Sequence, residues 1–189
     1  MNLLVFIPIT LIFIYYGNNL IKIMYERGKF TSSDTLMTYK ILRIYAFGLI
    51  FYASYSIINK LIYGAGLVKH LLIITAGVFA LKVILNFYLV GNYQQEGLAG
   101  STTASYISLS IIGYILVISK LKLKSTKKFL LNVFFYSLNS LIALLIADML
   151  VSLLSLEGLS KFFLSIMIFS SLFLLNLYFF CYKKIFSRM

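Results

Sequence analysis

Apolar runs long enough to cross a membrane alternate along this chain with short polar breaks. The alternation predicts six helices, at roughly Asn2–Met24, Ser33–Ile62, Val68–Gly91, Leu98–Lys120, Phe129–Leu154 and Leu159–Tyr182. At 1.5 Å per residue each is long enough for a hydrocarbon core of about 30 Å. The breaks differ in chemistry. "YERGKFTSSDT", Tyr25–Thr35, is a compact charged run, and its Ser32, Ser33 and Asp34 offer N-cap oxygens to the next helix. "YGAG", Tyr63–Gly66, places two glycines at a tight reversal. "GNYQQEG" (Gly91–Gly97), "KLKLKSTKK" (Lys120–Lys128) and "LEGLSK" (Leu156–Lys161) make the remaining breaks.

Composition turns a helical pattern into a membrane one. Apolar residues are 61% of the chain and charged residues 12%, with a mean hydropathy of +0.97. A soluble domain is about half apolar and a quarter charged. Inside lipid an open strand would leave its backbone groups unpaired, so the expected class is all-α, a polytopic bundle of about six transmembrane helices. The first apolar run has no basic start and no small-residue cleavage site. It therefore reads as a spanning helix, not a removable leader.

The net charge of +12 would suit nucleic acid if the cations formed a groove on a soluble scaffold, but they sit at helix ends. Ten of the 17 Lys and Arg residues collect on one side: Lys60, Lys69, those of Lys120–Lys128, Lys183, Lys184 and Arg188. Lys22, Arg27, Lys29 and Lys161 fall on the other side. The positive-inside rule then puts both termini in the cytoplasm and Tyr25–Thr35 outside. Anionic lipid headgroups are the expected partners of these charges, and nucleic acid is not. With no Trp and 15 Tyr, tyrosine supplies most of the interfacial belt.

Three cations fall within helices. Lys40 and Arg43 are one turn apart and share a face of the second helix. Lys40 is near enough to the outer headgroups to snorkel, whereas Arg43 is a turn deeper and is expected to face a cavity. Lys82 lies near the middle of the third helix, where a cation needs a partner or water. Asp148 is the acid inside a helix, so a Lys82–Asp148 pair is conceivable. Gly97, Gly100, Ala104 and Ser108 form a small-residue stripe suited to close helix packing, with Ser101, Thr102, Thr103 and Ser105 widening it. Asn86 is expected to hydrogen-bond a neighbouring helix. Chemistry of other kinds finds no support. His70 stands alone, the five acids are scattered, and the single Cys181 forms no internal disulfide. No nucleophile–base pair, metal cluster or phosphate-cradling loop is present, so no enzyme and no cofactor are expected.

With these residues in view, "IMYERGKFTSSDTLMTYKILRIYAFGLIFYASYSIINKLIYG" resembles a region of the MurJ (MviN)-type lipid II flippases. There an outer loop of the form aromatic-x-x-Gly-x-Phe-Thr leads into a helix, here Tyr25, Gly28, Phe30 and Thr31, followed by Asp34. "ILNFYLVGNYQQEGLAGSTTASYIS" is similar to the family's Asn-bearing helix end, short outer loop and Gly-Leu-Ala, here Asn86, Leu89, Gly97, Leu98 and Ala99. The resemblance covers about Met1–Lys128, and the last two helices match by hydropathy alone. It implies the last six helices of a fourteen-helix flippase: residues 1–128 as four helices of its second lobe, and 129–189 as two C-terminal helices with a short tail.

The resemblance also implies a function. A lipid-linked glycan on a polyprenyl diphosphate, peptidoglycan precursor first, would cross the cytoplasmic membrane by alternating access between two lobes. Arg43, Lys40 and Lys82 are the candidate substrate-binding residues, and the last two helices would form a groove for the lipid tail. The partner this calls for is an N-terminal flippase half or a second copy. Two departures keep alternatives open. The loop after the second helix is shortened to "YGAGLVKH" without proline, which is more like the polysaccharide-repeat flippases. The first lobe has no counterpart, so a fragment, a split-gene product, and a non-transporting assembly subunit or remnant all remain readings.

Overall fold

The computed structural model describes residues 2–121, 126–152 and 158–186. Five helices make it up: α1 (Asn2–Tyr25), α2 (Ser32–Gly64), α3 (Val68–Leu121), α4 (Thr126–Ser152) and α5 (Gly158–Phe186). No strand occurs among the described residues. The all-α bundle is the fold the hydropathy demands. Val5–Tyr25, α2 and α3 are each long and apolar enough to cross a membrane. Parts of the basic stretch, Lys122 to Ser125, and of the last connection, Leu156 and Glu157, lie outside the described residues, as does Arg188. The chain divides into two compact units, Met1–Phe129 and Leu130–Met189.

The first unit is built on α2, which packs against both α1 and α3. The charged break between α1 and α2 is a closed turn. Glu26 N donates to the Lys22 carbonyl at 3.0 Å, Phe30 N to Arg27 at 3.3 Å, and Gly28 takes a φ of +64°. The N-cap of α2 is Thr31, not Ser32, Ser33 or Asp34. Asp34 instead reaches back from the first turn, its Oδ2 accepting from both the Thr31 amide and the Thr31 hydroxyl at 2.8 Å. The reason is spacing: Thr31 and Asp34 form the Thr-x-x-acid arrangement in which a side chain three residues on can satisfy the cap's own N–H. Thr35 Oγ1 donates to Glu26 at 2.8 Å and ties the start of α2 to the end of α1. Further along, Tyr39 OH donates to the Ile14 carbonyl at 2.5 Å, so α1 and α2 are antiparallel.

α3 is where the sequence pattern and the structure part. The expected loop Gly91–Gly97 is absent as a loop: helical geometry runs through it except at Gln94, with φ +48° and ψ −122°. That one residue turns the helix back on itself. Ser101 Oγ donates to Asn86 Oδ1 across the fold, although 15 residues of straight helix would span about 22 Å. A Cβ placed on Gly97 would stand 2.3 Å from the Leu89 carbonyl oxygen. Only a residue without one lets the two arms approach so closely. Residues 68–93 and 95–121 are therefore antiparallel arms, each about 40 Å long and able to span the core. Six helical segments result, as the apolar pattern predicts.

The second arm runs parallel to α2, because their contacts advance together. Thr103 Oγ1 donates to the Ile44 carbonyl at 2.9 Å, a Cβ on Gly48 would meet Thr103 Oγ1 at 2.8 Å, and one on Gly113 would meet Ile58 at 2.9 Å. The small-residue packing is real, but its register is shifted. The buried positions are Gly97, Ser101, Ser105, Ser110 and Gly113, with Thr103 facing Gly48, whereas Gly100, Ala104 and Ser108 are only half-buried. Of the expected stripe Gly97 is buried, against Leu89 of the first arm, and the residues expected only to widen it, Ser101, Thr103 and Ser105, are the buried ones beyond it. At the other end of the unit Ile58, Ile62, Leu71 and Val117 form an apolar cluster beside the turn at Gly66, where φ is +70°.

In the second unit α4 buries Ser140, Ala143, Leu144, Ala147 and Val151, and α5 buries Phe162, Ser165, Phe169 and Phe173. Both sets recur at helical spacing and define one inward face on each helix. Outward faces throughout are apolar: Phe87 is 83% exposed and Ile73 72%. A water-soluble chain would not leave such a surface uncovered, and lipid covers it without cost.

Candidate functional site

A hollow of about 460 Å³ opens in the first unit, lined by Ile14 of α1, Lys40, Arg43, Ile44 and Phe47 of α2, and Glu96 and Thr103 of α3. Its size falls within the roughly 300–1,000 Å³ typical of small-molecule sites. Three elements position these groups. Tyr39 anchors α2 to α1, Thr103 anchors the second arm to α2 through Ile44, and the reversal at Gln94 swings Glu96 across from Lys40.

Lys40 and Arg43, expected to share a face, line this one hollow. Lys40 Nζ lies 3.9 Å from Glu96 Oε1, an ion pair at the long end of the range, with the lysine side chain 66% exposed and the glutamate 38%. Such a pair is loosely held and readily exchanged. Arg43 is exposed and has its guanidinium carbon 5.7 Å from the centroid of the Tyr39 ring. Among the described residues it has no carboxylate within 4.0 Å. Its five donors therefore face an open space beside an aromatic support. A planar guanidinium so held offers a fork to a tetrahedral oxyanion, and the nearby ammonium adds a point charge.

Lys82 is not brought to this place. It is half-buried on the first arm of α3, one turn from Asn86, and does not line the hollow. Pairing of Asn86 with Ser101, and of Leu71 with Val117, sets the register of the two arms and puts Lys82 level with Ser105. Asp148 belongs to the second unit. Asn86 does hydrogen-bond to a neighbouring helical segment, as expected, accepting from Ser101 on the second arm of α3. Glu96 is the residue sequence reasoning passed over, because nothing short of the fold-back shows that position 96 reaches position 40. The Tyr39–Arg43 stack was open to inference, since the two are four residues apart on a helix. Among the described residues no three His, Cys, Asp or Glu side chains cluster to hold a metal.

The family model described as Lipid II flippase MurJ matches residues 1–177, nearly the whole chain. The chain belongs to this family. It is 32% identical over 145 residues to the probable lipid II flippase MurJ of Buchnera aphidicola subsp. Schizaphis graminum, covering 77% of this chain and 27% of the relative. To the lipid II flippase MurJ of Thermosipho africanus it is 34% identical over 140 residues, 74% of this chain and 28% of that one. To the probable lipid II flippase MurJ of Borreliella burgdorferi the figures are 22% over 142 residues, 75% and 27%. The chain thus spans just over a quarter of the length of the curated MurJ relatives it matches. The MurJ match runs past Lys128 through α4 and most of α5, further than the motifs alone reach. Both arms of α3 and the hollow beside them lie within it.

Proposed function

We propose that this chain is part of a lipid II flippase, in which the hollow bearing Lys40 and Arg43 receives the diphosphate of a polyprenyl-linked peptidoglycan precursor. The observation that carries the reading is Arg43: a guanidinium on a membrane helix, stacked on Tyr39, lining a hollow and without a carboxylate of its own among the described residues. A cation at such depth is costly unless it meets water or an anion. A diphosphate supplies that anion, and membership in the MurJ family supplies the substrate class. The protein is then a transporter, not a catalyst, and needs no cofactor.

Translocation takes more helices than these. The matched relatives are nearly four times longer than the matched stretch, and alternating access needs a second lobe to rock against the first. The partner is therefore an N-terminal flippase half or a second copy. Both termini face the cytoplasm in this reading and the hollow opens toward the outer end of α2. Lys82, level with the polar seam of Asn86, Ser101 and Ser105, would meet the substrate, if at all, away from this hollow.

Liposomes holding a fluorescent polyprenyl-diphosphate glycan test the proposal. The chain alone should leave the lipid in its original leaflet, and the chain joined by the preceding helices of a MurJ relative should translocate it. Failure of the joined assembly, with both parts folded, would favour a non-transporting subunit. Robust flipping by the chain alone would point to a homodimer.

A further inference from the structure

The hollow holds one carboxylate among its lining residues, and its place bears on which anions can enter. Glu96 sits two residues after the reversal at Gln94 and one before Gly97, where the two arms approach so closely that a Cβ would stand 2.3 Å from the Leu89 carbonyl oxygen. Its carboxylate is carried on this closely packed turn and reaches Lys40 across the gap between α3 and α2. The backbone here is closely packed, whereas the ion pair is long and half-exposed. Lys40, Arg43 and Glu96 together leave the hollow a single net positive charge.

We propose that Glu96 is a built-in counter-anion and specificity-determining residue, which occupies Lys40 in the empty hollow and yields it only to a ligand of two or more negative charges. The inference rests on the reading of the hollow as a diphosphate site. A monoanionic headgroup pairs with Arg43 and leaves Lys40–Glu96 intact. Taking Lys40 as well would only replace one carboxylate by one phosphate oxygen and leave Glu96 half-buried without its cation, with no net gain. A diphosphate brings the second charge, spans one helical turn from Arg43 to Lys40, and offsets the loss of the ion pair. Glu96 then turns outward through its own side-chain rotamers, with no helix movement. Attraction at this distance in a half-wet site is modest and screened by salt, so the selection is graded and strongest at low ionic strength.

The test uses the full chain in nanodiscs of zwitterionic lipid, with geranylgeranyl diphosphate and the monoanionic phosphodiester geranylgeranyl methyl phosphate as probes, for wild type, Glu96→Gln and Arg43→Ala at low and high salt. Wild type should prefer the diphosphate. Glu96→Gln should bind both lipids more tightly, the phosphodiester by about tenfold and the diphosphate by about threefold, narrowing the preference, with the difference shrinking in salt. Arg43→Ala should weaken both. If wild type binds the diphosphate and Arg43→Ala abolishes binding while Glu96→Gln leaves the preference unchanged, the role of Glu96 is refuted and the diphosphate site stands. If no variant binds either lipid, or Arg43→Ala binds as wild type does, the diphosphate site itself is refuted and the role of Glu96 falls with it. A melting temperature for Glu96→Gln close to wild type separates a change in selectivity from loss of fold.

Discussion

Arg43 lies over the ring of Tyr39, one turn earlier on α2, with its guanidinium carbon 5.7 Å from the ring centroid. The same tyrosine donates its hydroxyl proton to the Ile14 carbonyl of α1, so one side chain both supports the cation and fixes the wall of the hollow. The two roles separate by substitution. Tyr39→Phe should keep the aromatic support and lose the tie to α1, lowering stability by about 1 kcal/mol with ligand binding nearly unchanged. Tyr39→Leu should lose both, and weaken diphosphate binding severalfold beyond the loss of stability. Thermal unfolding in detergent, paired with a binding titration on each variant, reads the two effects independently.

The fold-back of α3 makes opposite predictions at two neighbouring positions. Gln94, at φ +48° and ψ −122°, occupies backbone space that glycine enters freely and other residues enter at a cost of about 1–3 kcal/mol. Gln94→Gly should stabilise the hairpin by about 1 kcal/mol after glycine's greater freedom in the unfolded chain is subtracted. Gly97→Ala should do the reverse, because its methyl would stand 2.3 Å from a backbone oxygen that cannot rotate away. A loss of about 2 kcal/mol or more is expected. Melting temperatures of the two variants should bracket that of the wild type.

Much of the fold was legible in the apolar periodicity, and particular residues show where legibility ended. Six spans and an all-α class followed from hydropathy, since lipid permits little else. The two arms of α3 were also expected as separate helices. That a single Gln94 rather than a seven-residue loop reverses them was not, because nothing in "GNYQQEG" distinguishes a turn made by one strained residue from an ordinary loop. Arg43 and Lys40 could be placed on one face by spacing alone. Glu96 could not be added to them, since its approach to Lys40 depends on the parallel packing of α2 with the second arm. Thr31 was missed as N-cap although Asp34 three residues on completes its pattern. The capping pattern belongs to the pair, Thr31 with Asp34, and neither residue carries it alone.

Orientation is open to a direct check. The excess of Lys and Arg on one side of the chain predicts Ser32 outside and Ser125 in the cytoplasm. In a Cys181→Ser background, Ser32→Cys should react with a membrane-impermeant maleimide in intact cells, and Ser125→Cys should react only after permeabilisation. The opposite pattern would invert the topology and put the hollow at the cytoplasmic end.

The central claim is that Arg43 meets the diphosphate of a lipid-linked glycan, and translocation by the complete two-part assembly tests it most directly. A guanidinium binds a phosphate group with two parallel hydrogen bonds and stays charged, whereas an ammonium offers a less directional contact. Arg43→Ala should cut the flipping rate at least tenfold while membrane insertion and expression stay near wild type, and Arg43→Lys should recover part of the rate. Flipping by Arg43→Ala at the wild-type rate would contradict the account and leave Arg43 an anchor at the membrane interface.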